Sequence, residues 1–526
     1  MVATEERSIA SDAAAHQFRL EIPLHERDWL RYDVSVRLKD AEDVNTEFVR
    51  QNNSRSLLYD NREKVFRVLY FGGRPNWQHK FILRALEGDP DVQLSSLVRI
   101  SGAEKKFVFR GRDSSLGNPL FDGFEEAQTL PRYDEAVFLR LGLGPEELAA
   151  GYPSHAEDLY SFDLIIWGDI EADFFATPQL TLTRDAVSER GASLLLLGGS
   201  GDPFDALADT VIAPLIPTMP RGSAIEAADR PDRIAPTPEA FLTGVWALNG
   251  DQKLNDQAWD GLPELPDVQT PGPARIGATV MATSGEPSAD DEASPFLVWQ
   301  SYGRGTAALL ATGETWPWHM KTEGTNGSHD RLWRQLVRAL LRNVPDRVAL
   351  KRSGASTVVG RDRTLGWSVR DEVFAPLGGA TLRVTVTEPD GTATVVPALE
   401  VLAEPGSYNA DMTPPTEGIY RLRLEGENGA GETVPETEMA VLAEPDRREW
   451  RTPRSNEGFL KEITMRTGGY YVSLNELQEL PERIAAQEAT VWRYDRAPLW
   501  HAPPFYVALL LLMATEWAVR RKAGKP

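Results

Sequence analysis

Two patterns of apolar residues divide the chain into β-rich parts and an α/β part. In the β-rich parts every second residue is apolar, which predicts strands that are buried on one face only. This alternation occurs at residues 18–24, 32–38, 382–386 and 420–424, and a further strand is predicted near residues 57–59. The first group predicts a small β module over residues 16–64, an incomplete sandwich. The second group predicts an immunoglobulin-like sandwich over residues 346–445.

Between these parts, over residues 65–345, strands alternate with amphipathic helices. A strand that is apolar on both faces is typical of the centre of a parallel sheet, and residues 163–169 show this pattern. Further strands are predicted at residues 66–71, 93–100 and 193–197, the last of them buried. Helices are predicted from Asn76 to Glu87, from Thr177 onward and from His329 to Arg342, and a hairpin over residues 296–312. The order of elements predicts an α/β domain with right-handed crossovers.

The last apolar segment, LWHAPPFYVALLLLMATEWAV at residues 499–519, has the length of a membrane span. Its 21 residues give roughly 31 Å of helix. The residues that mark its ends are the aromatic Trp500, Tyr506 and Trp517 and the basic Arg520, Arg521 and Lys522. We therefore predict a transmembrane helix over residues 499–519 that contacts membrane lipid. A buried core helix is the alternative, because Glu516 is charged.

The basic cluster also predicts an orientation. The positive-inside rule places residues 520–526 in the cytoplasm and the body on the exported side of the inner membrane. Export needs a signal, and the first twenty residues lack the apolar region of a signal peptide. Either an upstream membrane segment precedes this sequence, which we favour, or the body is cytoplasmic. Residues 1–15 are predicted to be a flexible lead-in, and residues 446–498 a small segment with helices and a strand at residues 468–472.

Composition excludes several classes of function. The chain has 56 basic and 78 acidic side chains, a formal charge of −22, which argues against a nucleic-acid partner. It has no cysteine, which removes disulfides, thiolate metal sites and a cysteine nucleophile. Its seven histidines show no metal-ligand spacing, so neither a metal nor a cofactor is predicted.

Several segments together resemble a group of large bacterial membrane proteins. Members of this group have an N-terminal membrane part, often a von Willebrand A domain, and then a class I glutamine-amidotransferase-like domain before a C-terminal transmembrane helix. The segments that carry the resemblance are residues 67–99, 162–170, 191–204, 312–320, 330–341 and the C-terminal segment. The resemblance implies a flavodoxin-like sheet over residues 65–345, and it supports a missing upstream membrane part.

The family's chemistry does not carry over with the resemblance. In the active enzymes, the strand that corresponds to residues 193–197 leads to a cysteine nucleophile backed by histidine and a carboxylate. Here the sequence after that strand is Gly198-Gly199-Ser200-Gly201, and without a thiolate that mechanism is lost. The metal-binding Asp-x-Ser-x-Ser motif of the von Willebrand domain is also missing. The resemblance therefore implies a degenerate, non-catalytic domain.

Two glycine-rich turns are candidate binding sites at the ends of strands. Ser200 has the position of a nucleophile, but the elbow motif Gly-x-Ser-x-Gly is incomplete, and a plain turn is the favoured interpretation. A base for it would have to come from His319 or His329. The other turn, Gly72-Gly73-Arg74 followed by Trp77, is interpreted either as an anion cradle or, as we favour, as a close βα turn.

Two further candidates lie on loops. Trp316, Trp318 and His319 form an aromatic cluster that is either a binding lip for a sugar, peptide or protein or a plug at the edge of the sheet. Asp169, directly after a buried strand, faces the same crevice or caps its own loop. In the C-terminal segment, Glu516 either pairs with a basic residue or lies at the membrane interface.

The sequence thus predicts a non-catalytic, membrane-anchored scaffold or recognition protein of the cell envelope, with other membrane or envelope proteins as partners. One alternative is an envelope hydrolase that uses Ser200, or acidic residues such as Asp169 and Asp202. Another is a carbohydrate-binding protein, which requires Trp316 and Trp318 to be coplanar and exposed.

Overall fold

In the computed structural model, a mixed α/β chain with several β-sheets forms two compact units, residues 1–447 and 448–526. The described residues are 3–6, 18, 20, 22, 26–37, 51–101, 137–199, 203–220, 234–285, 293–320, 327–351, 356–447, 450, 455–481 and 502–524.

The N-terminal β module is a two-stranded antiparallel hairpin among the described residues. Its strands are β1 (Trp29–Ser35) and β2 (Ser54–Asp60). The strand predicted at residues 57–59 is confirmed, and the strand predicted at residues 32–38 is observed three residues earlier, at residues 29–35. Most of residues 18–24 lie outside the described part. Ion pairing of Arg421 with Asp28 ties this hairpin to the second β-rich domain.

The α/β domain contains a nine-stranded sheet in the order β5-β4-β3-β6-β7-β11-β10-β9-β8. Its strands are β3 (Phe66–Gly72), β4 (Val92–Ser101), β5 (Val137–Leu141), β6 (Leu164–Gly168), β7 (Ser193–Leu197), β8 (Ile234–Pro236), β9 (Thr279–Ser284), β10 (Ser294–Tyr302) and β11 (Gly305–Leu310). The five strands from β4 to β11 in this order are parallel, and antiparallel strands extend the sheet at both ends. Four of the parallel strands, β3, β4, β6 and β7, occur where the sequence predicts them, and the fifth, β11, forms the predicted hairpin with β10.

Helices cover the sheet. They are α1 (Trp77–Glu87), α2 (Ala156–Leu159), α3 (Thr177–Asp185), α4 (Pro203–Ala208), α5 (Pro238–Thr243), α6 (Gln252–Asp260), α7 (Pro317–Met320) and α8 (Ser328–Leu341), with 3-10 turns at Gln51–Asn53, Ala172–Phe174 and Ala213–Leu215 and a π turn at Ala186–Arg190. The predicted cap is confirmed, because the side chain of Asn76 accepts from the backbone N–H of His79 at 2.8 Å. Helix α8 packs on α1 and buries Leu332, Trp333 and Leu336.

A buried ion pair lies at the amino end of β6. The guanidinium of Arg190 contacts Asp163 at 2.7 Å and donates to the carbonyl of Tyr160 at 3.0 Å. It also lies 4.3 Å from the ring centroid of Phe374, which belongs to the second β-rich domain. The pair therefore joins the π turn, the sheet and the neighbouring domain.

The second β-rich domain is built from eight strands in the order β12-β14-β17-β16-β15-β18-β19-β13. They are β12 (Val348–Leu350), β13 (Ser356–Val358), β14 (Arg363–Val369), β15 (Thr381–Thr387), β16 (Ala393–Glu400), β17 (Ser407–Met412), β18 (Gly418–Glu427) and β19 (Thr437–Glu444). Trp367, Tyr408 and Leu422 lie in its core. The hydroxyl of Tyr420 donates back to the carbonyl of Thr416 at 3.0 Å.

The second unit contains helix α9 (Glu457–Thr467), a 3-10 turn (Leu474–Glu479) and helix α10 (Pro503–Lys522). The strand predicted at residues 468–472 is wrong. Gly468 has a positive φ of 75° and ends α9 by donating to the carbonyl of Thr464, so these residues leave a helix instead of entering a sheet.

The structure gives no support to the transmembrane helix predicted over residues 499–519. Among the described residues, no helix combines the length and the apolar character that a membrane crossing requires.

Candidate functional site

The strand order creates a crevice at the carboxyl edge of the sheet. Strand β3 pairs with β4 on one side and with β6 on the other, so the chain leaves β3 toward β4 and β5 and then returns past β3 to β6. Ligands of open α/β sheets bind outside the carboxyl ends of the strands at such a switch point. The structure brings together here the candidates that follow β3 and β6 and the glycines that follow β7: Gly72, Gly73, Arg74, Asp169, Gly198 and Gly199.

The glycines allow the turns to close tightly around Asp169. A Cβ atom on Gly73 would lie 1.9 Å from the carbonyl oxygen of Asp169, and one on Gly199 would lie 2.6 Å from its Oδ1 atom. Asp169 itself has a positive φ of 49°, which is uncommon for a residue with a side chain. The interpretation of Gly72-Gly73 as a close βα turn therefore agrees with the packing.

Two ion pairs line this switch-point crevice. Arg74 Nε lies 2.6 Å from Asp169 Oδ2, and its side chain stays 52% exposed. Arg99, near the end of β4, donates to the carbonyl of Gly73 at 3.0 Å and contacts Glu171 at 2.6 Å. Arg99 and Glu171 were not predicted from the sequence, because only the pairing of β3 with its neighbours brings them to the turn.

A third edge of the crevice comes from residues that precede β9. Thr312 donates to the carbonyl of Asp267 at 2.6 Å, and the side-chain amide of Gln269 donates to the carbonyl of Gly199. Burial, with a smaller contribution from the charge of Asp169, raises the pKa of Asp267. Sequence reasoning missed these residues too, since they lie in a proline-rich stretch with no periodic signal.

Beside the crevice is an open cavity of about 940 Å³. It lies between the loop after β6, the start of α3 and the end of α4. Its acidic lining residues are Glu171, Asp173 and Asp209, and Ile170, Phe175 and Leu180 provide apolar walls. The cavity has the size and mixed lining of a small-molecule site.

The aromatic loop after β11 differs from the predicted two-tryptophan lip. Trp318 is only 2% exposed, and its indole N–H donates to the carbonyl of Pro263 at 3.1 Å, so it is a core residue. The partner of Trp316 is Trp77 instead, with ring centroids 6.4 Å apart and planes at 40°. Trp77 is 56% exposed, and the ammonium of Lys80 lies 4.8 Å from its ring centroid.

Next to this pair, His319 and His329 converge on one carboxylate. The Nδ1 atoms of both rings lie 3.2 Å from Asp330 Oδ1. A hydrogen bond from His329, and then the positive charges nearby, lower the pKa of Asp330. Burial lowers the pKa of His329. We call these three residues the His–Asp–His cluster.

Other predicted residues do not meet in one site. Ser200 and Trp500 lie outside the described residues, so the elbow after β7 stays a prediction. In α10, Glu516 pairs with Arg520 of the same helix at 2.7 Å, and Arg521 lies over the ring of Trp517 at 4.9 Å. Tyr506 is exposed on this helix.

No family model matches the chain, and no curated protein matches it. Among solved structures, a cytoplasmic protein from Salmonella typhimurium is 14% identical, with 52% of this chain and 98% of that one covered and a TM-score of 0.28. The filamin domain of Lin-41 is 18% identical, over 19% of this chain and 93% of the other, at a TM-score of 0.16. A β-galactosidase from Rahnella sp. R3 is 11% identical, with 48% of this chain and 33% of that one covered and a TM-score of 0.23. These similarities are too low to assign a fold or an activity.

The close turn around Asp169 leads to a stability prediction. Gly73→Ala is expected to lower the free energy of unfolding by about 1–3 kcal/mol, because its Cβ would overlap the carbonyl of Asp169 and force the backbone apart. The measurement is urea unfolding followed by tryptophan fluorescence. Gly88→Ala is the control, because a Cβ there meets only the flexible side chain of Arg334 at 3.5 Å. Equal stability of the two variants would contradict the prediction.

Proposed function

We propose that this chain is a non-catalytic recognition or scaffold protein of the bacterial cell envelope, built on a degenerate amidotransferase-like domain. In chain order, the parallel strands are arranged 2-1-3-4-5, the order of flavodoxin-like folds, which supports the proposed ancestry. The hydroxyl of Tyr420, which bonds back to Thr416, resembles the tyrosine corner of immunoglobulin-like domains. It supports an immunoglobulin-like module after the α/β domain.

The observation that carries the proposal is the ion pair at the switch point. Both carboxylate oxygens of Asp169 face the guanidinium of Arg74, at 2.6 and 3.4 Å. Asp169 is therefore engaged in an ion pair within the turn. The chain also has no cysteine to supply a thiolate. The crevice retains charged and hydrogen-bonding groups that suit it to binding without turnover.

The proposed location is the inner membrane, with the body on the exported side and membrane or envelope proteins as partners. The exposed apolar side chains of α10, Leu509 to Leu512, and the basic residues that follow support contact with lipid. The charge of −22 disfavours nucleic acid as a partner. Protease treatment of intact cells and spheroplasts tests the location: an exported body is cut in spheroplasts, and a cytoplasmic one stays protected until lysis.

One observation favours the rival hydrolase. The imidazole of His319 is held by Asp330 at 3.2 Å, which is the relation between base and orienting carboxylate in a catalytic triad. Such a pair needs a nucleophile, and Ser200 is the residue that the sequence offers. The carbohydrate-binding alternative loses its support, because Trp318 is buried and Trp316 is not coplanar with its neighbour Trp77.

The two functions differ in turnover. We expect the purified protein to release neither ammonia from glutamine nor p-nitrophenol from its acetate ester above the solvent rate, and Ser200→Ala to behave identically. Ser154→Ala is the matched control, because Ser154 is exposed and makes one long contact, at 3.4 Å to Gln179. Turnover that disappears in Ser200→Ala and persists in Ser154→Ala would overturn the proposal and establish the hydrolase.

A further inference from the structure

We propose that the His–Asp–His cluster, formed by His319, His329 and Asp330, binds a divalent transition-metal ion of the Zn²⁺ type. The cluster forms where two helices meet: His319 lies in α7, and His329 and Asp330 lie in the first turn of α8. One ligand atom from each residue lies within 4.8 Å of the other two. Two imidazoles and one carboxylate are an established ligand set for such ions.

The distances suit a tetrahedral ion. Each Nδ1 atom lies 3.2 Å from Asp330 Oδ1. Two ligand atoms at this separation that each lie about 2.05 Å from one ion subtend about 103° at it, close to the tetrahedral angle of about 109°. To complete the site, the two imidazole nitrogens need to lie about 3.3 Å apart, which a small rotation of the partly exposed His319 can provide.

The surroundings give the cluster an outer shell. His329 is fully buried, and its Nε2 atom lies 3.2 Å from the hydroxyl of Thr315. That hydroxyl also receives the indole N–H of Trp333 at 2.9 Å and contacts the amide of Gln78. Ligating histidines usually bond through their other nitrogen to such a partner, which fixes the ring and its tautomer.

Proton positions distinguish the metal-free and metal-bound states. Without metal, Thr315 accepts from Trp333 and Gln78 and donates to His329 Nε2, so Nδ1 carries the proton and donates to Asp330. With metal on Nδ1, the proton resides on Nε2 and is donated to the Thr315 hydroxyl, which then donates to Gln78 Oε1 at 3.1 Å. The hydroxyl oxygen has two lone pairs, and Trp333 keeps one of them, so the amide N–H of Gln78 gives up its bond to this oxygen. The change therefore requires a tautomer shift, rotation of one hydroxyl and loss of one hydrogen bond, with no loss of a proton.

Charge and access also favour an ion. Two neutral imidazoles and one carboxylate carry a charge of −1, which a divalent cation overcompensates, so a water or a ligand anion fits the fourth position. The side chains of His319 and Asp330 are 18% and 17% exposed, which opens the cluster to solvent on one side. No sequence pattern predicts this cluster, because His319 and His329 are ten residues apart and do not form a helical His-x-x-x-His pair.

The test is calorimetric titration of the full chain with Zn²⁺, supported by the visible absorption of bound Co²⁺. We expect one ion per chain and at least about tenfold weaker binding in Asp330→Asn and in His319→Ala. His155→Ala is the matched control, because His155 also faces an aspartate, Asp158 at 4.0 Å, but on the open surface. Its binding should equal that of the unchanged protein.

Three results would overturn the inference: no Zn²⁺ binding, binding unaffected by either substitution, or binding lost equally in His155→Ala. In the first case the cluster is a hydrogen-bonded triad only. His319→Ala decides the question if Asp330→Asn does not fold, since His319 lies at the solvent side of the cluster. The near-ultraviolet circular dichroism of the His319→Ala variant verifies its fold.

Discussion

Asp163→Ala is expected to lower the free energy of unfolding by about 3–5 kcal/mol, the largest effect of any substitution considered for this chain. The variant leaves the guanidinium of Arg190, whose side chain is 4% exposed, without its carboxylate at 2.7 Å. Removal of one partner from a buried ion pair strands the other charge in a medium that solvates it poorly. The backbone N–H of Arg67, which donates to Asp163 Oδ2 at 2.9 Å, also loses its side-chain partner.

Urea unfolding curves measure this effect, and two further variants assign it to the charge. Asp185→Ala removes a surface partner of Arg184, at 2.8 Å, and should cost less than about 1 kcal/mol. The double variant Asp163→Ala with Arg190→Met should recover much of the lost stability, because no unpaired charge remains. A loss below about 1 kcal/mol in Asp163→Ala, or a double variant as unstable as the single one, would contradict the role given to the pair.

The predictable part of the fold is the part that local pattern determines. The strands predicted at residues 163–169 and 193–197 are apolar on both faces over their central residues, so only a covered parallel sheet can bury them, and both are observed. The cap at Asn76 follows from side-chain geometry within four residues. The strand predicted at residues 468–472 failed because the turn preference of Gly468 outweighs the β propensity of the residues that follow.

The crevice illustrates what a sequence can predict about a site. Because the carboxyl ends of parallel strands share one edge, Gly73 and Asp169 are expected to meet there, and they do. The charges around them were less predictable: Arg74 pairs with Asp169, and Arg99 of the neighbouring strand donates to the carbonyl of Gly73. Which charges pair depends on strand register and twist, which no periodicity encodes.

Side chains on loops were the least predictable. Trp316 and Trp318 are two residues apart, yet one contacts the half-exposed Trp77 and the other is in the core. Trp316 lies in the turn that precedes α7, whereas Trp318 lies within this short helix, so the two side chains take different directions. The meeting of His319 with Asp330 likewise needs the packing of α7 against α8, a contact between elements that are distinct in the sequence.

Thr315→Val is expected to lower the free energy of unfolding by about 2–4 kcal/mol, since three buried polar groups lose one shared partner. Valine has nearly the shape of threonine, so packing is preserved and only the hydroxyl is removed. That hydroxyl lies 2.9 Å from the indole nitrogen of Trp333 and from the amide nitrogen of Gln78, and 3.2 Å from His329 Nε2. All of these side chains are almost fully buried, so water cannot readily replace the lost bonds.

The matched control for this variant is Thr243→Val, which removes a hydroxyl that bonds only within its own exposed helix, to the carbonyls of Glu239 and Ala240 at 2.8 and 3.1 Å. Its stability should change by less than about 0.5 kcal/mol in the same urea experiment. If Thr315→Val is equally mild, the hydroxyl is not the shared partner. If Thr315→Val is severe and also weakens Zn²⁺ binding by about tenfold or more, the same hydroxyl both stabilises the fold and orients the imidazole of His329.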